Sequence, residues 1–211
     1  PIKTSILNAI THEFTHLYQY QKTGIFFKNA NDMGIVNAMK RIQSDLTQPN
    51  TLFYFIRNLY LLTKYEDSAD MAATYKTGIS AKQINLSQQK IFKYISEGNV
   101  DEIMKMIENE YKANGINIID PIQKYDFIEG YLNGLDSWRI TYIEKQKEKK
   151  IKYNVPNKLL DKMKNKINSF KDKPIRDFIE FFVKKYQKIA LKSTHKIDKL
   201  KYLRRFNDVT I

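Results

Sequence analysis

The sequence predicts a mostly α-helical protein. Apolar residues recur at three- to four-residue spacing through most of the chain, strand-like alternation is nearly absent, and glycine or proline follows several periodic stretches where a helix would stop. The 211 residues, 42% hydrophobic and 13% aromatic, suffice for one good-sized core, or for one domain with an appendage, and exclude a disordered chain.

Ile6, Ile10, Phe14 and Leu17 form one apolar stripe of a first helix over 4–22, with Gly24 as its stop, and this stripe is expected to face the core. A second helix is expected over 32–46, broken by Pro49 and Asn50, and a third over 51–62. A fourth covers 63–77 and ends at Gly78. Ser87 precedes the next periodic stretch, and Asn99 with Glu102 has capping-box spacing ahead of a helix that Gly115 closes. The stretch 117–131, interrupted by Pro121, reads either as a short helix or as an extended piece. Downstream, 138–152 is highly charged, 157–170 carries Leu159, Leu160, Met163, Ile167 and Phe170 on one stripe, and Pro174 opens a long helix with Phe178, Ile179, Phe182, Tyr186 and Ile189.

Charge divides the chain. Residues 1–138 hold 14 Lys/Arg against 15 Asp/Glu, whereas 139–211 hold 22 against 8, so the whole net charge of +13 lies in the last third. The expected organisation is a near-neutral body, 1–138, and a basic helical C-terminal section, 139–211, with 144–152 as the junction. The chain has no cysteine, which excludes disulfides and thiolate metal ligands. Its most hydrophobic stretch, 51–62, is short and contains Arg57 and Asn58, so no bilayer span is expected and the chain reads as soluble. Nothing at its start resembles a signal peptide, and Pro1 in place of methionine suggests a processed chain or a fragment; no compartment is implied.

One short stretch carries chemistry. THEFTHLYQ holds two of the three histidines, His12 and His16, around Glu13. Residues four apart on a helix place their Cβ atoms about 5–6 Å apart, so both imidazoles can address one ion. They lie on a different face from the apolar stripe, and Glu13 points between the two faces, within reach of a water at that ion. With three His and ten Glu in the chain, a shuffled sequence would contain H-E-x-x-H only roughly 0.002 times. A zinc site that does chemistry takes three protein ligands and leaves a fourth position for water. In YEDSADMAA, Glu66 and Asp70 share a helical face with Ala69 and Ala73, whose small side chains would allow close approach to the histidine helix. The other E-x-x-x-D pair, Glu97 and Asp101, is split by Gly98 and Asn99, which break the helix.

HEFTH followed by Glu66-Asp-Ser-Ala-Asp70 resembles the gluzincin group of zinc metallopeptidases, with H-E-x-x-H on one helix and E-x-x-A-D on a second. The resemblance spans about 4–77 and implies a zincin-like helical core, Zn²⁺ held by His12, His16 and Glu66, Glu13 as general base, and Asp70 as partner of a ligand histidine, His12 first. It implies hydrolysis of a peptide or protein substrate. A helical hairpin over 32–62 accounts for the 49 residues between His16 and Glu66. Members of this group place a β-sheet before the histidine helix, and the eleven residues before His12 are too few for one. The upstream sheet is therefore expected to be missing from this chain and supplied by another segment or chain, unless substrate binds differently.

The third histidine, His195, is a candidate for oxyanion stabilisation, as are Arg204 and Arg205, against the plainer expectation of a solvated lysine-rich helix; Tyr75 points away from Glu66. Two other function classes stay open. One is a structural or interaction subunit of a larger assembly that keeps the metallopeptidase fold. The other is a helical nucleic-acid-binding protein using the basic section, although 30 of its 36 basic residues are lysine and no nucleic-acid motif is present.

Overall fold

The computed structural model describes residues 2–23, 29–43, 50–113, 115, 121–148 and 157–207; for 22–23, 50, 121–125 and 197–207 it describes the backbone alone. Ten helices and no strand occur among the described residues: α1 (Ile2–Thr23), α2 (Ala30–Gln43), α3 (Asn50–Leu61), α4 (Lys64–Thr77), α5 (Ala81–Ser87), α6 (Lys90–Glu97), α7 (Val100–Ala113), α8 (Pro121–Glu148), α9 (Asn157–Asn168) and α10 (Ile175–Asn207). The expected stops at Gly24 and Pro49, the end of the second helix at 44–46, and 149–152 of the junction lie outside the described residues. None of the described helices is long and apolar enough to cross a membrane.

One apolar core gathers α2, α3, α5, α6, α7, α8, α9 and α10, with α5 contributing Leu86. Its densest part is aromatic: the rings of Phe127 on α8 and Phe178 on α10 meet edge to face at 4.6 Å, and Phe182 lies 5.0 Å from Phe178. Against this cluster α2 and α8 cross with their backbones nearly touching. A Cβ on Gly134 would sit 2.6 Å from the Met33 carbonyl oxygen and 2.8 Å from the Gly34 Cα, and one on Gly130 would sit 2.9 Å from the Ala38 Cα. Two glycines one turn apart on α8 therefore pack into Gly34 and Ala38 on α2.

The structure departs from the sequence expectations in four places. The ambiguous 117–131 and charged 138–148 belong in large part to one unbroken helix, α8, which runs through position 138, and the apolar faces of α9 and α10 join the same core as the residues before it. Pro121 is tolerated as its first residue, where the amide has no partner to lose. Phe127, Ile128, Tyr131, Leu135 and Trp138 keep helical spacing across it, and its charged end is carried outside the core with the ion pair Lys145–Glu148 at 2.8 Å. A short helix, α5, ends at Ser87, and the N-cap of α6 is Gln89; the expected Asn99 cap is present, its Oδ1 accepting from Glu102 N at 3.3 Å. Leu159 and Ile189 are exposed at the margins of their stripes, while Leu160 and Ala190 beside them are buried.

The largest departure concerns α1. Its stripe is exposed, Ile6 at 54% and Phe14 at 65%, and the helix docks through the opposite, polar face onto α4. The reason lies on α4, whose buried face presents the Glu66 and Asp70 carboxylates between Ala69 and Ala73. An apolar stripe laid there would strip the carboxylates of water and return no hydrogen bond, whereas Asn8, His12 and His16 supply partners. Asn8 Nδ2 donates to Thr77 Oγ1 at 2.9 Å and to the Ile79 carbonyl at 2.6 Å, anchoring the N-terminal half of α1 to the end of α4.

The α2–α8 crossing gives a direct test. Gly134→Ala forces backbone rather than a flexible side chain to move, and we expect it to lower stability by about 1–3 kcal/mol, read as a fall of several degrees in Tm. An unchanged Tm would show that the two helices part without cost.

Candidate metal centre

The site is assembled at the corner between α3 and α4. Thr63, the N-cap of α4, donates its hydroxyl to the Tyr60 carbonyl at 2.7 Å and accepts from Glu66 N at 3.4 Å. This tight corner turns the Tyr60 side chain back over the first turn of α4, where its hydroxyl donates to Glu66 Oε1. The same helix start is held from α2: the buried Asp32 carboxylate accepts from the backbone amides of Tyr65 and Lys64. A carboxylate there is favoured by the helix dipole. Burial raises the pKa of Asp32, and hydrogen bonds from Asn29, Asn31 and these two amides oppose that rise. Asp32 thus fixes the position of the helix that carries Glu66.

On the facing side of α1, His12 and His16 converge on Glu66. His12 Nε2 lies 3.2 Å from Glu66 Oε2, His16 Nε2 lies 3.4 Å from Glu66 Oε1, and the two Nε2 atoms are 3.1 Å apart. His16 and Glu66 are buried, at 7% and 3% exposure, and His12 is half-buried at the open side. The His16 ring stacks on Tyr65 with centroids 3.9 Å apart, which sets its plane, and its Nδ1 is buried without a hydrogen-bond partner among the described residues. These three residues form a group able to hold a metal ion among the described residues.

The electrostatics show what the cluster is short of. Two imidazole nitrogens and a carboxylate face one another at 3.1–3.4 Å, so their lone pairs repel unless a proton or a cation lies among them. Burial alone would raise the pKa of Glu66, but hydrogen bonds from His12, His16 and Tyr60 outweigh it and bring the carboxyl down to about 2. His12 moves the other way, above 6.5, chiefly through its hydrogen bond to Glu66 and against the effect of burial. Burial, followed by the Glu66 charge, raises the pKa of both Tyr60 and Tyr65, which keeps them neutral phenols. The donor set also suits zinc: nitrogen and oxygen ligands about 2.0–2.1 Å from a tetrahedral ion lie roughly 3.3 Å from one another. The two Nε2 atoms, 3.1 Å apart, come close to that value, and each lies 3.2–3.4 Å from one oxygen of the Glu66 carboxylate. The orphaned Nδ1 of His16 is the one departure, since a ligand imidazole ordinarily donates its other N–H.

The remaining candidates fall into place around this group. Glu13 is exposed on α1, engaged by no hydrogen bond or ion pair among the described residues, and its charge acts on His12, Tyr60 and Tyr65. Asp70 serves a different partner from the expected imidazole: its Oδ2 accepts from Ser80 Oγ at 2.6 Å and its Oδ1 from Lys82 N at 3.0 Å, so it ties α4 to the start of α5. Its charge reaches His12 without a hydrogen bond. Asp67 points elsewhere, to Lys82 Nζ at 2.6 Å and Lys196 Nζ at 3.8 Å. His195, next to Lys196 on α10, is exposed and shares no hydrogen bond or ion pair with the cluster among the described residues. Tyr75 is 95% exposed, and the side chains of Arg204 and Arg205 lie outside the described residues. Glu97 and Asp101 sit on separate helices across Gly98, whose φ of 73° ends α6, and they pair with Lys93 and Arg176.

Tyr60, Tyr65, Thr63 and Asp32 were not anticipated from the sequence. Tyr65 adjoins Glu66, but a neighbour on a helix points about 100° away, and only the docking of α1 brings His16 over its ring. Comparison with protein-family models, curated proteins and solved structures gave no match to this chain.

Metal binding needs His12 neutral, so the proton and the cation compete for it. Because its pKa lies above 6.5, we expect Zn²⁺ affinity measured by calorimetry to be full above that raised value. Below it, affinity should fall about tenfold per pH unit. Glu66 stays ionised throughout this range. Affinity that is flat between pH 8 and pH 6 would exclude His12 as a ligand.

Proposed function

We propose that this chain hydrolyses peptide bonds using a Zn²⁺ ion held by His12, His16 and Glu66, with Glu13 as general base. The observation that carries the reading is the convergence of two imidazole nitrogens, 3.1 Å apart, on one buried carboxylate, with His12 Nε2 3.2 Å from one Glu66 oxygen and His16 Nε2 3.4 Å from the other, beside the exposed Glu13 carboxylate one residue from His12. When bound, zinc lowers the pKa of a coordinated water towards neutrality and polarises the scissile carbonyl.

The chain's own groups do the rest. Glu13 accepts a proton from the attacking water and returns it to the leaving amine nitrogen, a role that suits a solvent-facing carboxylate engaged by no hydrogen bond or ion pair among the described residues. Tyr60 holds Glu66 by its Oε1, and Tyr65 holds the plane of His16, so two of the three ligand side chains are oriented before any ion arrives. Asp70 contributes long-range negative charge to His12 and otherwise braces α4 against α5. His195 is exposed and shares no hydrogen bond or ion pair with the cluster among the described residues.

A second reading is favoured by the bare apolar face of α1. A structural or interaction subunit would use Ile6, Ile10, Phe14 and Leu17 to seat a further segment or chain, and the metal would then brace the interface. The two readings separate in one experiment on the zinc-loaded protein with an unfolded protein substrate. On the enzymatic reading, cleavage is abolished by a chelator and falls by about 10²-fold or more in Glu13→Gln, which keeps its zinc. Cleavage that survives in Glu13→Gln, or Glu66→Ala that retains full metal content, overturns the assignment.

A further inference from the structure

A cavity of about 440 Å³ lies between α8, α9 and α10, apart from the metal centre. Its size falls in the range of small-molecule sites, about 300–1,000 Å³. Tyr131, Met163 and Phe181 give it a hydrocarbon interior, and Lys162, Lys166 and Lys185 line it with their stems. Two of the ammonium groups lie near one wall residue: Lys166 Nζ is 5.6 Å from the centre of the Phe181 ring and Lys185 Nζ 5.9 Å from the same ring. No carboxylate lines the cavity among the described residues.

Neighbouring charge does not cancel this concentration of cations. Lys164, on the same helix, spends its charge on Asp136 at 2.7 Å, whereas no ion pair is formed by Lys162, Lys166 or Lys185 among the described residues. Lys185 instead donates to Asn31 Oδ1, a neutral acceptor that also receives the Tyr131 hydroxyl at 2.7 Å. Burial lowers the pKa of Lys185, with the Asp32 charge acting the other way.

The geometry points to a binding site for an amphipathic organic anion, an unbranched alkyl carboxylate whose chain lies against Tyr131, Met163 and Phe181 and whose head sits among Lys162, Lys166 and Lys185. An uncharged hydrocarbon would leave the cations uncompensated. An inorganic anion would leave the apolar walls uncovered. Shape and charge together select a ligand with both parts, in free monomeric form rather than embedded in a bilayer, because the cavity is a pocket between helices and not a flat basic surface.

The test is calorimetric titration of the full chain with decanoate, against octanoate, decanol and anionic phosphatidylglycerol vesicles. Decanoate is expected to bind, with octanoate about tenfold weaker for its two fewer methylenes. Decanol, and decanoate with the K162M/K166M/K185M variant, are each expected to bind about tenfold or more weakly. Chelation should leave decanoate affinity unchanged, which keeps this result independent of the metal centre. Should the triple variant fail to fold, K162M/K166M changes only exposed positions on α9 and reads out the same loss. Equal affinity for decanol and decanoate, unaltered decanoate affinity in the variants, or binding to vesicles without binding to decanoate each overturns the proposal.

Discussion

A buried carboxylate sets the terms for half of this molecule. Glu66 is nearly inaccessible, and an ionised group at that depth is tolerated only where its oxygens are fully engaged. Tyr60 provides one donor from the preceding helix, and the remaining demand is met by two imidazoles from α1. The orientation of α1, the stacking of His16 on Tyr65 and the exposure of eight large apolar side chains on α1 all follow from that demand. Hydrophobic burial organises the rest of the chain; here polar satisfaction overrides it.

Much of the architecture was legible in the sequence because most of its helices obey one rule, an apolar face turned to a common core. The periodicity of Phe178, Phe182 and Tyr186 marks the buried face of α10 correctly, and Gly78 and Gly98 end their helices with positive φ. The same rule misled at α1, whose stripe of Ile6, Ile10, Phe14 and Leu17 satisfies every criterion of periodicity and faces away from its docking partner. Periodicity reports which residues share a face, not which face is covered. It failed again at α8, where Pro121 reads as a break and the charged stretch from 138 as a separate section, although one helix runs through both and packs two glycines against α2. Glycines that weaken an isolated helix are the contact surface of this one.

The site shows a similar division. His12, His16 and Glu66 were recognisable because helix geometry relates two of them, and the small residues around the third permit close approach; the structure brings all three together. Asp70 was given an imidazole partner by analogy with a motif, yet Ser80 and Lys82 lie within its reach and take both oxygens. The supporting residues come from α2, α3 and the α3–α4 corner, and no local pattern could relate Asp32 or Tyr60 to the histidines.

The polar attachment of α1 has a consequence for how this protein opens. A helix held mainly by hydrogen bonds and one charged cluster, with its hydrocarbon outward, contributes little to the cooperative unfolding of the core. Its amides would exchange with solvent through detachment of the whole segment, at a free energy well below that of global denaturation. Occupancy of the cluster by a cation would then act as a latch, converting this segment into one whose release requires the ion to leave first.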